Sequence, residues 1–135
     1  MKKRIFLDTN IIIDYLSGRK PFGENAYKIF LMHNDAELCI SALSFTTIYY
    51  VLRKGHDHRH LLDLLKDLMD IVNVLPVNSD IIENAVRSGF TDFEDAVQYF
   101  TALSASSDYI ITRNVKDYSL SEIEVFSPDE FLNLD

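Results

Sequence analysis

The sequence holds a single cysteine, Cys39, in 135 residues, so no disulfide can close within the chain. Set in "ELCIS", it reads as a buried structural thiol, compatible with a reducing cytoplasm. Glycine and proline are scarce, at 4 and 3, which excludes long flexible linkers. There is no internal repeat and no low-complexity tract. No stretch approaches the ~20 apolar residues of a membrane span. The apolar run after the basic opening of "MKKRIFLDTN" is too short for a signal peptide. Basic residues are also in deficit: 13 Lys and Arg face 21 Asp and Glu, for a net charge of -8. That balance excludes broad electrostatic adhesion to nucleic acid or membrane. It leaves room for an acidic pocket neutralised by divalent cations, and it suits a basic partner protein. What the chain does have is 47% hydrophobic residues, enough for a real core, and the expectation is one compact domain over residues 1–135.

Short β-favouring runs occur at "RIFL", "ELCIS", "IVNVLPV", "YIIT" and "IEVF". Most are apolar throughout, as strands covered on both faces are. Helix-length segments lie between them: "NAYKIFLMHN", "SFTTIYYVLRK", "HLLDLLKDLMD", "SDIIENAVRSG", "TDFEDAVQYFTALS" and the short "SPDEFLNL". In the third, Leu61, Leu62, Leu65, Leu68 and Met69 form a stripe, with charges turned to solvent. Alternating strands and helices predict an α/β fold of three layers, a mainly parallel central sheet flanked by helices. Sites in such folds form outside the carboxyl ends of the strands. Asp8 after "RIFL", Ser41 ending "ELCIS", and Asn114 and Asp117 after "YIIT" are therefore candidates. Asp108 precedes its strand and falls at the opposite end.

Each candidate has a plainer reading. Asp8 would cap a helix starting near Asn10 equally well, because a carboxylate accepts orphan helix N–H bonds. Asp14, inside that helix, reads as a surface or pairing residue. Thr91 and Glu94 have capping-box spacing, and Asp92 and Asp95 repeat it. From Ala96 to Leu103 the following helix is apolar nearly all round, which places Asp95 near the body of the protein, where an acid needs a cation, hydrogen bonds or a proton. Asn114 and Asp117 are also good Asx-turn residues. Arg113 and Lys116 would pair with these acids or contact phosphate.

"FLDTNIIIDYL", "ISALSFTTIYYVLRK", "TDFEDAVQYFTAL" and "DYIITRNVKDY" follow one another in the order found in PIN domains, across nearly the whole chain. The chain resembles that family, in particular its bacterial branch of toxin ribonucleases from toxin–antitoxin pairs. The resemblance implies an acidic pocket holding Mg2+ or Mn2+, RNA as substrate, phosphodiester hydrolysis, an antitoxin partner, a homodimer and no membrane association. Asp8 and Asp95 match family acids, Asn114 falls in the "T-R-D/N" segment, and Asp117 follows it. The implied catalytic set is Asp8, Asp95 and Asp117, with Asn114 as a further metal ligand. Supporting candidates are Asp92, Ser41, Thr47, Asn10 and Arg113. One departure is visible: Thr47 stands where relatives often carry Glu. A degenerate module that binds RNA or protein without efficient cleavage is the competing expectation.

Further residues carry weaker signals. Arg53 and Lys54 are phosphate-contact candidates, with solvated charge as the plainer reading. Tyr49, Tyr50 and Tyr99 would stack on bases, or simply sit in a core or interface. His56, His58 and His60 in "HDHRH" lack the downstream Cys or His of a zinc motif. A phosphoaspartyl phosphatase would want Asp two residues after Asp8, where this chain has Asn10.

Overall fold

The computed structural model describes residues 2–134. Five strands form one sheet: β1 (Arg4–Leu7), β2 (Glu37–Ser41), β3 (Asn73–Leu75), β4 (Tyr109–Ile111) and β5 (Glu124–Phe126). Their order is β3-β2-β1-β4-β5, and every pairing is parallel. The helices are α1 (Thr9–Ser17), α2 (Gly23–Phe30), α3 (Ala42–Leu52), α4 (His58–Met69), α5 (Ser79–Arg87), α6 (Phe93–Ser104) and α7 (Pro128–Leu132). Short 3-10 turns cover Leu31–Asn34 and Val115–Tyr118.

The pleat explains why the strands read as unbroken apolar runs. Ile5, Leu7, Leu38, Ile40 and Ile111 pack on one face, against buried side chains of α1 to α4 and Phe131 of α7. Phe6, Cys39 and Ile110 point the other way, onto Tyr99 and Ala102 of α6 and onto Tyr118. Helices α5 and α6 share a smaller cluster of Ile81, Ala85, Ala96 and Val97. The outcome is the three-layer α/β/α arrangement that the alternating pattern predicts, with Cys39 buried as expected.

Differences from the sequence expectation lie at element ends. "IVNVLPV" contributes only the three residues of β3, an edge strand whose side chains are largely exposed. "NAYKIFLMHN" divides into α2 and a 3-10 turn. Helix α1 stops at Gly18, which caps it at φ 65, a left-handed conformation that glycine adopts without strain. Helix α7 is held by a complete capping box, Ser127 with Glu130, and Pro128 at its first turn.

The sheet order reverses direction at β1. The chain moves from β1 outward to β2 and β3, then returns to the other side of β1 for β4 and β5. The crevice between the carboxyl ends of β1 and β4 is the switch point where open α/β sheets place their sites. There the Asp8 N–H donates to the Ile111 carbonyl at 3.0 Å, which locks the two strand ends together.

Candidate active site

Asp8 lies in this crevice and is 6% exposed. It is the N-cap of α1, so the capping reading holds, but its carboxylate does more than cap. Oδ1 accepts from the Thr9 N–H at 2.7 Å and from Gln98 Nε2 at 3.3 Å. Oδ2 accepts from the Thr112 hydroxyl at 2.7 Å and the Tyr118 hydroxyl at 3.2 Å. Donors from α1, α6, the end of β4 and the following 3-10 turn thus fix one carboxylate, compensating its burial. Gln98 Nε2 also reaches Thr9 Oγ1 at 3.0 Å and Ser44 Oγ at 3.4 Å, and those two hydroxyls are 2.7 Å apart. Gln98, Ser44, Thr112 and Tyr118 have no place in the sequence-based set. The signal available for Gln98 was a lone amide inside the run "AVQYFTAL". Helix α6 is in fact not apolar all round, because Gln98 and Thr101 are buried polar residues within it.

Asp95 faces the same crevice from the first turn of α6. Its carboxyl is pushed up to about 7, first by burial and then by the negative charges of Asp8, Asp92, Asp117 and Glu94. The fold thus holds acids distant in sequence within electrostatic range of one another. Glu94 is also raised, by burial and then by Asp8 and Asp92. The Tyr118 phenol is driven far upward, mainly by burial and by Asp8, so it stays a donor. Among the described residues, no three of His, Cys, Asp or Glu converge tightly enough to grip an ion.

Asp117 and Asn114 are carried by the turn after β4, and both side chains are exposed. The turn is made by backbone: the Asp117 N–H donates to the Asn114 carbonyl, and the Asn114 N–H to Thr112 Oγ1. The Asn114 side chain caps nothing, so the Asx-turn reading is not what holds it. Asp92, not Thr91, is the N-cap of α6, accepting from the Asp95 N–H at 2.9 Å. The predicted Thr91–Glu94 box is therefore replaced by a cap one residue later, and this leaves Glu94 free of capping duty. Ser41 caps α3 through Leu43 N–H at 3.1 Å. Asn10, on the first turn of α1, has a buried Oδ1 with no hydrogen-bond partner.

Thr47 lines a cleft of about 290 Å³ with Thr9, Ser44, Glu94, Val97 and Gln98 among its walls. Arg113 points elsewhere. Its Nε sits 2.7 Å from Asp14 Oδ2, off-line for a hydrogen bond, and its guanidinium lies over the Phe22 ring at 4.0 Å, in a separate cleft. Asp14 is accordingly a pairing residue and not a surface one; it is 1% exposed and also held by Arg19. Tyr99 belongs to the core, so it is not a base-stacking residue. Tyr49 bonds His58 Nδ1 at 2.8 Å, and exposed Tyr50 lies beneath the Arg53 guanidinium at 3.9 Å. Lys54 is exposed. Asp108 binds the Arg4 N–H at the far end of the sheet, as expected. His56 and His60 are 5.1 Å apart between ring centroids, without a third ligand.

No helix is long and apolar enough to cross a membrane among the described residues. Residues 4–116 match the PIN domain family. The chain is 30% identical over 137 residues to Ribonuclease VapC1 of Aquifex aeolicus (strain VF5), covering 96% of this chain and 93% of that protein. In three dimensions it is similar to a toxin–antitoxin complex from Klebsiella pneumoniae, with a TM-score of 0.71 at 26% identity, covering 92% of this chain and 97% of that one. The DNA-bound VapBC of Salmonella typhimurium shares the fold, with a TM-score of 0.72 at 20% identity over 95% of this chain and 99% of the other. A parallel sheet that buries an acid at its central switch point, and a family match over most of its length, agree: the chain belongs to the PIN domain family.

Proposed function

We propose that this chain is a metal-dependent endoribonuclease that hydrolyses RNA phosphodiester bonds, acting as the toxin of a pair in the cytoplasm, and that residues 1–135 form one functional domain. The observation that carries the reading is the buried Asp8 at the carboxyl end of the central strand of a parallel sheet, with Asp95 and Asp117 within electrostatic range of one another. The ribonuclease name of its 30% identical relative supports it.

The chemistry of the donors suits Mg2+ or Mn2+, although the described acids stand too far apart in this structure to close on an ion. Asp8, Asp95, Asp117 and Asn114 offer oxygen only, which suits hard cations that keep part of their water shell. The orphaned Asn10 Oδ1 adds an acceptor two residues from Asp8. Bound there, the cation would supply an acidified water and neutralise charge developing on the phosphate. The chain's own residues set the stage. Four donors fix the orientation of Asp8 and occupy its acceptor sites, so a cation bonded directly to it would displace one of them, and otherwise its charge acts through space. Tyr118, protonated throughout, anchors the turn that carries Asp117. Asp95, sitting near 7, gives up its proton as a cation arrives, so binding strengthens as pH rises.

The test is incubation of pure protein with varied RNAs and Mg2+ or Mn2+. Cleavage should fall at least about a hundredfold in Asp8→Asn and in Asp95→Asn. Absence of metal-dependent cleavage, or cleavage in both variants unchanged from wild type, would sink the proposal.

An antitoxin partner is supported by the Klebsiella pneumoniae neighbour, itself a toxin–antitoxin complex. A homodimer is supported by apolar side chains left exposed, such as Tyr27, Leu31, Tyr50 and Val51. Light scattering that finds only monomer would remove the dimer. A second reading, a module that binds RNA or protein with weak or no cleavage, is favoured by Thr47 and by the loose spacing of the acids. Calorimetric binding of Mn2+ that Asp8→Asn abolishes would count against it.

A further inference from the structure

We propose that the cleft between α3 and α6 is a base-recognition subsite, and that the base it holds is guanine, from a nucleotide flanking the bond cut beside Asp8. The proposal rests on the RNA reading above and deepens it by naming the base that the site selects. It calls on no cation.

The cleft of about 290 Å³ lies next to Asp8, because Gln98, which lines it, reaches that carboxylate at 3.3 Å. Small-ligand pockets begin at roughly 300 Å³, so the space suits one base and not a longer segment. Leu43 of α3, Ile82 of α5, and Phe93 and Val97 of α6 give it apolar walls. Leu43 and Phe93 are 48% and 54% exposed, an aliphatic and an aromatic side chain left open to solvent on opposite walls. Proteins that read single-stranded RNA hold splayed bases against such faces.

The polar groups choose among bases. Gln98 is 3% exposed, and Asp8 fixes its orientation: a carboxylate only accepts, so the amide turns its NH2 group toward Asp8 and carries Oε1 on the other side. The contacts of that amide to Asp8, Thr9 and Ser44 are all made by Nε2. Among the described residues Oε1 accepts from no donor. Unlike the unpaired Oδ1 of Asn10 it is not sealed in, so it opens onto the cleft that Gln98 lines. Glu94 adds a second acceptor, since Asp92 caps α6 in its place and no described residue pairs with its carboxylate. No Lys, Arg, His, Asn or Trp lines the cleft. Two acceptors need an edge with two neighbouring donors, and guanine has one in its N1–H and 2-amino groups. Adenine and cytosine set an acceptor beside their amino group, and uracil flanks its single N–H with two carbonyls. Each of these would bring a lone pair against Gln98 or Glu94. The Thr47 hydroxyl, on the facing wall, is able to donate to the guanine O6.

The test is fluorescence anisotropy with the full chain at low salt in a chelator, so that no metal-dependent cleavage occurs. The probes are labelled uridine hexamers carrying one guanosine, one inosine, one adenosine or none. The guanosine hexamer should bind roughly tenfold more tightly than the plain one. Inosine keeps N1–H but lacks the 2-amino group and should lose several-fold of that gain, and adenosine should show none. Phe93→Ala, at an exposed position, should weaken guanosine binding roughly tenfold. Glu94→Ala should make guanosine and inosine bind alike; it also removes a negative charge, so the ratio between probes is the readout. Equal affinity for all four hexamers, or a preference for adenosine, would overturn the guanine subsite and leave RNA binding standing. A guanosine preference unchanged in both variants would place its source outside this cleft and overturn the proposal. Failure to bind any hexamer would overturn the RNA reading and this proposal with it.

Discussion

Asp95 shows what crowding of like charges does to a single residue. Its folded value near 7 lies above the ordinary carboxylate value, so the folded protein keeps a proton that the unfolded chain releases between about pH 4 and pH 7. The stability this proton confers is complete below about pH 4 and is lost as pH rises through 7. Asp95→Asn is neutral at every pH and escapes that loss. With a chelator present, its melting temperature should exceed that of wild type at pH 8, and the difference should vanish near pH 4. A constant difference across that range would show that Asp95 is not the titrating group. The sequence identified Asp95 as an acid in need of compensation because the helix after it is mostly apolar. It did not disclose Gln98, whose importance comes from touching Asp8, 90 residues away.

At the scale of elements, the beginning of α6 separates a structural acid from candidate ligands. Asp92 is exposed and accepts the Asp95 N–H, which defines where the helix starts. Asn caps a helix about as well as Asp, whereas Ala does not. Asp92→Ala should therefore cost about 1 kcal/mol of unfolding free energy, and Asp92→Asn a few tenths at most. Urea denaturation measures both. Mn2+ affinity should be nearly unchanged in Asp92→Asn; a loss like that of Asp8→Asn would return Asp92 to the site. The capping-box spacing was legible in two overlapping registers. Only the path by which the chain enters α6 selected Asp92. Arg113 makes the same point: next to Asn114 in sequence it looked like a phosphate contact, but buried Asp14 draws it into another cleft.

For the whole molecule, the acid excess governs how RNA can be held. With a net charge of -8, binding cannot rest on a broad basic track. Each phosphate contact to single-stranded RNA contributes a salt slope of roughly 0.7. Fluorescence anisotropy with the Asp8→Asn variant should therefore give a slope of log affinity against log salt no steeper than about -2. A much steeper slope would reveal a basic surface assembled from more than one copy of the chain.

The sequence by itself determined the layered architecture, because strands covered on both faces must be apolar along their whole length, and helices must alternate with them for the sheet to be parallel. It also placed Asp8 at a strand end, since that assignment needs only local order. Tertiary structure decided which polar groups serve that acid, which of two neighbouring acids caps α6, and which wall of the cleft bears the negative charge. Those outcomes depend on helix packing angles and on contacts between residues tens of positions apart, quantities that no local pattern encodes.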